Sequence, residues 1–112
     1  MKTIDDVAEK ISAEAPYTGG PREDFDRVGR DTLITLLENG LLPNHKVLDV
    51  GCGALRNGYW IVRLLEAGCY CGIEPMSEML ESGVKHCLGE ALARDKAPRF
   101  SNNRACDFSV FG

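Results

Sequence analysis

Four residues, Val47-Leu48-Asp49-Val50, run straight into Gly51-Cys52-Gly53, and that junction constrains the fold more than any other feature of the chain. A short apolar run that ends on glycine reads as a buried strand leading into a tight turn. Glycines between a strand and a helix let the backbone approach a ligand closely, while the helix start offers unsatisfied N–H groups to negative charge. A dinucleotide fingerprint would place glycines in the order G-x-G-x-x-G. Here its third position is Arg56, and Gly58 comes two places late.

Patterning around the junction fixes the rest of the architecture. Ile4, Val7, Ala8 and Ile11 recur at helical spacing and predict a short amphipathic helix over residues 3–14, before Pro16. Tyr17-Thr18-Gly19-Gly20-Pro21 is dense in turn formers. A longer helix follows, marked by Phe25, Val28, Thr32, Leu33, Leu36 and Leu37 and closed by the C-cap signal Asn39-Gly40. The first strand spans residues 46–50, and the helix after the glycine loop carries Tyr59, Trp60, Ile61, Val62, Leu64 and Leu65, with Ala67-Gly68 as its stop. Cys69 to Ile73 reads as a buried strand ending at Glu74-Pro75. Ser77 is placed to cap a further helix bearing Leu80, Val84, Cys87, Leu88, Ala91 and Leu92, weakened by Gly83 and Gly89. A loop from Arg94 to Pro98, a third strand at residues 99–102 and a turn-rich tail over 106–112 complete the chain. This order predicts an α/β fold of the doubly wound kind, with a parallel sheet and right-handed crossovers. In such a sheet the ligand crevice lies where strand order reverses, and three strands supply only one side of it.

Size and charge narrow the function classes. With 112 residues, 44% hydrophobic and 27% charged, the chain makes one domain, burying roughly two-thirds of its unfolded surface. No apolar run approaches the roughly 20 residues of a bilayer span. The charged start, Met1 to Asp6, lacks the apolar segment of a secretory signal, so the expected compartment is the cytoplasm. The net charge of −4 comes from an excess of acids in residues 1–50, which argues against a general nucleic-acid footprint. Arg94, Lys96, Arg99 and Arg104 read as a solvated loop. Five cysteines without a C-x-x-C pair, beside only His45 and His86, do not spell a zinc site. They are predicted to be buried, reduced thiols. Both histidines are expected at the surface, and Trp60 in the core.

Glu74, at the end of the second strand, adds a second constraint. A carboxylate there can accept hydrogen bonds from both hydroxyls of a ribose diol, so loop and acid together ask for an adenosine-like ligand more than for a phosphate. At these residues the chain resembles the class I S-adenosylmethionine-dependent methyltransferases. Residues 47–53 are similar to the family's first motif, and Gly72-Ile73-Glu74-Pro75-Met76-Ser77-Glu78-Met79-Leu80 to its second-strand motif. Val28-Gly29-Arg30, Gly40-Leu41-Leu42-Pro43 and residues 107–112 also look like a subgroup whose glycine loop is followed by Leu-Arg, so that the resemblance runs from about Tyr17 onward.

The resemblance implies a three-layer Rossmann-like sandwich, apparently truncated after the third strand, with residues 1–40 as an N-terminal helical segment of a single partial domain. It implies that the backbone of Gly51, Cys52 and Gly53 faces the methionine part of S-adenosyl-L-methionine. Asp49 would brace the loop or reach the amino group through water, Glu74 would hold the ribose, and Pro75 and Met76 would lie against the adenine. Asp107 competes with Asn103, Arg104 and Ala105 for the adenine edge. The usual third loop glycine is replaced by Leu55. Arg56 reads either as a partner for the cofactor's carboxylate or as an exposed helix-start arginine, and Tyr17 either as a residue closing over the cofactor or as packing. Acceptor-binding and catalytic residues are expected beyond Gly112. The expected function is thus the cofactor-binding half of a methyltransferase acting on an unidentified acceptor. The alternatives are a non-catalytic interaction module and an NAD-binding fragment, and self-association through the open sheet edge is a further expectation.

Overall fold

The computed structural model describes Val7, Glu9, Lys10 and residues 24–103. Val7, Glu9 and Lys10 are helical, and Val7 is buried in the core. The remaining elements are α1 (Phe25–Glu38), β1 (Val47–Val50), α2 (Gly58–Leu64), β2 (Tyr70–Ile73), α3 (Ser77–Gly83), a π-helical turn (Val84–Leu88), α4 (Gly89–Lys96) and β3 (Arg99–Ser101). They form a small α/β unit with one open, wholly parallel sheet of order β1-β2-β3. The outer edge of β1 pairs with no strand among the described residues.

Helix α1 ends as its sequence signal predicts. Gly40 takes φ +94°, its N–H reaches the Leu37 carbonyl, and the Leu41 N–H reaches that of Leu36, the paired bonds of a Schellman motif. Phe25 and Gly29 are buried and Leu33 and Leu36 pack on the core, whereas Ile34 and Leu37 stay exposed.

Side chains alternate between the faces of a strand, and the register places Val47, Asp49, Tyr70, Gly72 and Phe100 on one face. Of these, Val47, Tyr70 and Phe100 join the main core with Leu55, Ile61, Val62, Met79 and Leu80. The opposite face carries Leu48, Val50, Cys71 and Ile73. There the two β2 residues are buried and the two β1 residues exposed.

Five expectations change. Ser77 does not cap α3 through its side chain; its hydroxyl instead accepts a hydrogen bond from the Asn102 side-chain amide at 3.0 Å. The helix predicted from Ser77 is divided into α3, the π turn and α4, because Gly89, at φ +73°, sends its N–H to the Val84 carbonyl five residues back. Arg94 and Lys96 belong to α4, not to a loop, and the Lys96 ammonium is tied to the Leu65 carbonyl at 2.6 Å. His45 is exposed as expected, but His86 is half-buried, as is Trp60. Cys52, Cys69, Cys71 and Cys87 are buried free thiols. Tyr17, Arg104, Ala105, Cys106, Asp107 and the tail lie outside the described residues. No helix among the described residues is long and apolar enough to cross a membrane.

Candidate functional site

The site is built where β1 and β2 end side by side. The N–H groups of Gly51 and Cys52 both donate to the Ile73 carbonyl, at 2.8 and 3.0 Å, so the glycine loop is hooked onto the last residue of β2. Gly51 and Gly53 have φ of +72° and +59°, conformations that glycine adopts without steric cost. Among the described residues no atom beyond its chain neighbours lies within 4 Å of where a Cβ on Gly51 would sit, so none of them covers its backbone on that side.

Glu74 closes the site. One carboxylate oxygen accepts the Gly53 N–H at 2.9 Å and the other accepts the Met76 N–H at 3.0 Å. A single side chain therefore ties the loop after β1 to the loop after β2. Glu74 is only 7% exposed, and two backbone donors satisfy a buried carboxylate well. A carboxylate has about four acceptor positions, so both oxygens retain capacity for a ligand's hydroxyl groups. Beside it the Met76 side chain is exposed, and a cleft of about 430 Å³ opens between α3 and β3, lined by Ser77, Leu80, Phe100, Ser101 and Asn102.

Asp49 lies at the loop's root, two residues before Gly51. Its Oδ2 accepts the Tyr70 hydroxyl at 2.6 Å. Burial pushes the Asp49 carboxyl up, against the Tyr70 hydrogen bond and the nearby Arg56 charge, which favour the ionised form. Burial, with help from the Asp49 and Glu74 charges, also pushes the Cys52 thiol up to about 12. Cys52 is thus a packing residue whose thiol stays protonated, while its backbone N–H helps to hook the loop onto Ile73.

The loop is gripped from outside the motif as well. Ala54 packs so closely on Gly83 that a Cβ there would meet its carbonyl carbon and oxygen at 2.5 Å. The Ala54 carbonyl also accepts the Cys87 thiol at 3.3 Å, and Arg63 in turn holds the Cys87 carbonyl at 3.0 Å. The π turn thus carries the residue, Cys87, that links α2 to the loop. Leu55, standing where the motif would have glycine, keeps the glycine-like backbone at φ +64°. That conformation costs an ordinary residue roughly 1–2 kcal/mol, and complete burial of its side chain offsets it.

The structure thus brings Asp49, Gly51, Cys52, Gly53, Glu74, Pro75 and Met76 to one end of the sheet, while Asp107 falls outside the described residues. The sequence reading missed Tyr70, Gly83 and Cys87. Gly83 carried a signal, since a glycine inside a helical pattern costs about 1 kcal/mol relative to alanine and so points to a packing reason. Tyr70 and Cys87 carried none. Among the described residues no group of three His, Cys, Asp or Glu side chains is placed to hold a metal ion. The chain matches no family model, and no curated protein and no solved structure matches it.

Proposed function

We propose that the chain is the cofactor-binding portion of a class I S-adenosylmethionine-dependent methyltransferase, built on a Rossmann-like sandwich. The observation that carries this reading is the Glu74–Gly53 hydrogen bond, which joins a ribose-type carboxylate to a glycine loop across 21 residues of sequence. In this reading Glu74 binds the ribose hydroxyls with its remaining acceptor capacity. The backbone at Gly51 accepts the methionine part, Pro75 and Met76 offer the adenine an apolar platform, and Asp49 supplies negative charge for the amino group. The cofactor brings a methyl group made electrophilic by its sulfonium. The chain's own residues orient it, since a nucleophilic acceptor needs mainly to be held at roughly 3–3.5 Å from that methyl.

A dinucleotide is the less fitting ligand. Its pyrophosphate seeks the amides of a helix that begins directly at the glycine loop. Here α2 begins only at Gly58 and is seven residues long, with turns intervening after Gly53. Calorimetric titration with S-adenosylhomocysteine and with NAD, side by side, tests the choice. Binding of S-adenosylhomocysteine alone is expected. Heat from NAD alone would favour an oxidoreductase fragment, and heat from neither a non-catalytic interaction module.

A further inference from the structure

Tyr70 stands at the start of β2 with its ring buried in the core. It is 2% exposed, packs edge-on against Phe100 with centroids 6.0 Å apart, and carries its hydroxyl 2.9 Å from where a Cβ on Gly58 would sit. Gly58, the first residue of α2, is therefore the space into which the hydroxyl fits. From there it donates to Asp49 Oδ2 at 2.6 Å, a length typical of a hydroxyl bonded to an ionised carboxylate. A phenol buried for packing alone would require neither the missing side chain at position 58 nor a carboxylate partner at the root of the ligand loop.

We infer that Tyr70 is a positioning residue of the site: its hydroxyl fixes the Asp49 carboxylate at the root of the glycine loop and keeps it charged for the cationic amino end of the ligand. This inference rests on the methyltransferase reading and adds to it a pH dependence of cofactor affinity. Among the described residues, the titratable and charged groups that act on Asp49 are Tyr70 from β2, Arg56 from the approach to α2, and Glu74 beyond β2. Asp49 in turn acts on Cys52 in the loop. Arg56 and the Tyr70 hydroxyl favour the ionised carboxylate, while burial and Glu74 oppose it. Removing the hydroxyl leaves burial and Glu74 opposed by Arg56 alone, so Asp49 then takes up its proton at higher pH.

The test is S-adenosylhomocysteine affinity from pH 5 to 9, measured by calorimetry on the wild type, Tyr70→Phe, Asp49→Asn and the double variant. The wild type should lose affinity toward acid pH. In Tyr70→Phe that loss should move upward by about one pH unit, the size expected for one charge-assisted hydrogen bond. Asp49→Asn should flatten this limb, and adding Tyr70→Phe to it should change nothing further. Superimposable profiles for the wild type and Tyr70→Phe would overturn the inference and leave the methyltransferase reading standing. If the wild type does not bind S-adenosylhomocysteine at any pH, the methyltransferase reading fails and takes the ligand role with it. A carbon-13 carboxyl titration of ligand-free protein then decides the Tyr70–Asp49 coupling alone: a higher Asp49 midpoint in Tyr70→Phe supports it, and an unchanged midpoint overturns it.

Discussion

The ends of β1 and β2 both present a carboxylate to the same loop, yet they hold it in different ways. Glu74, after β2, spends each oxygen on a backbone amide, one from either loop, and so acts as a brace between two segments of chain. Asp49, near the end of β1, is held among the described residues by one side chain, the Tyr70 phenol, and burial works against its charge. Backbone donors survive every substitution but proline and do not titrate, whereas a phenol can be removed and a desolvated carboxyl can titrate. The difference assigns shape to the end of β2 and tunable charge to the end of β1.

Glu74→Ala is the strongest way to sharpen that contrast. It leaves the Gly53 and Met76 amides without their acceptor, and at about 1–3 kcal/mol for each orphaned buried group the unfolding free energy should fall by about 2–6 kcal/mol in chemical denaturation. Gly83→Val should come next, at about 1–3 kcal/mol for overpacking. It forces Ala54 away and disturbs the loop from the helix side, while leaving both carboxylates intact. Tyr70→Phe should cost about 1.5 kcal/mol, the lower end of the range for a hydrogen bond to a charged group, because the ring and its packing remain. A Tyr70→Phe loss as large as that of Glu74→Ala would break the comparison.

The smallest effect is one of slope. The Asp49 carboxyl is raised in the folded state, so the folded chain holds that proton more tightly than the unfolded chain. Its contribution to stability is therefore complete below the unfolded value of about 3.9 and is lost as pH rises through the folded one. Denaturation of the wild type and Asp49→Asn over pH 3–7 should differ by this falling slope. A difference that grows with pH in favour of the wild type would contradict the burial of Asp49.

The sequence made the β1 end legible because its signals are local: an apolar run, two glycines, and a carboxylate one strand later. Helix α1 was legible to its cap for the same reason. The grip on Ala54 was not, because Gly83 and Cys87 reach it from 29 and 33 positions away, and the π turn that carries Cys87 has no local sequence signal. Leu55 is intermediate. Its departure from the motif was visible, but the persistence of a left-handed backbone at a leucine follows from tertiary burial and not from local preference. The Tyr70–Asp49 pair depended on parallel register, which places Asp49 beside Gly72 and on the same face as Tyr70, and register is not a property of either strand alone.

The central claim is that the Glu74-braced loop recognises the ribose of an adenosyl ligand. The most direct measurement compares calorimetric affinities of the unaltered chain for S-adenosylhomocysteine and for its 2′-deoxyribose analogue, with no mutation to disturb the brace. Binding of the ribose form with a loss of about tenfold or more on removing the hydroxyl, the effect of one hydrogen bond to a charged group, is the predicted result. Equal affinity for the two compounds, or binding of neither, would contradict it.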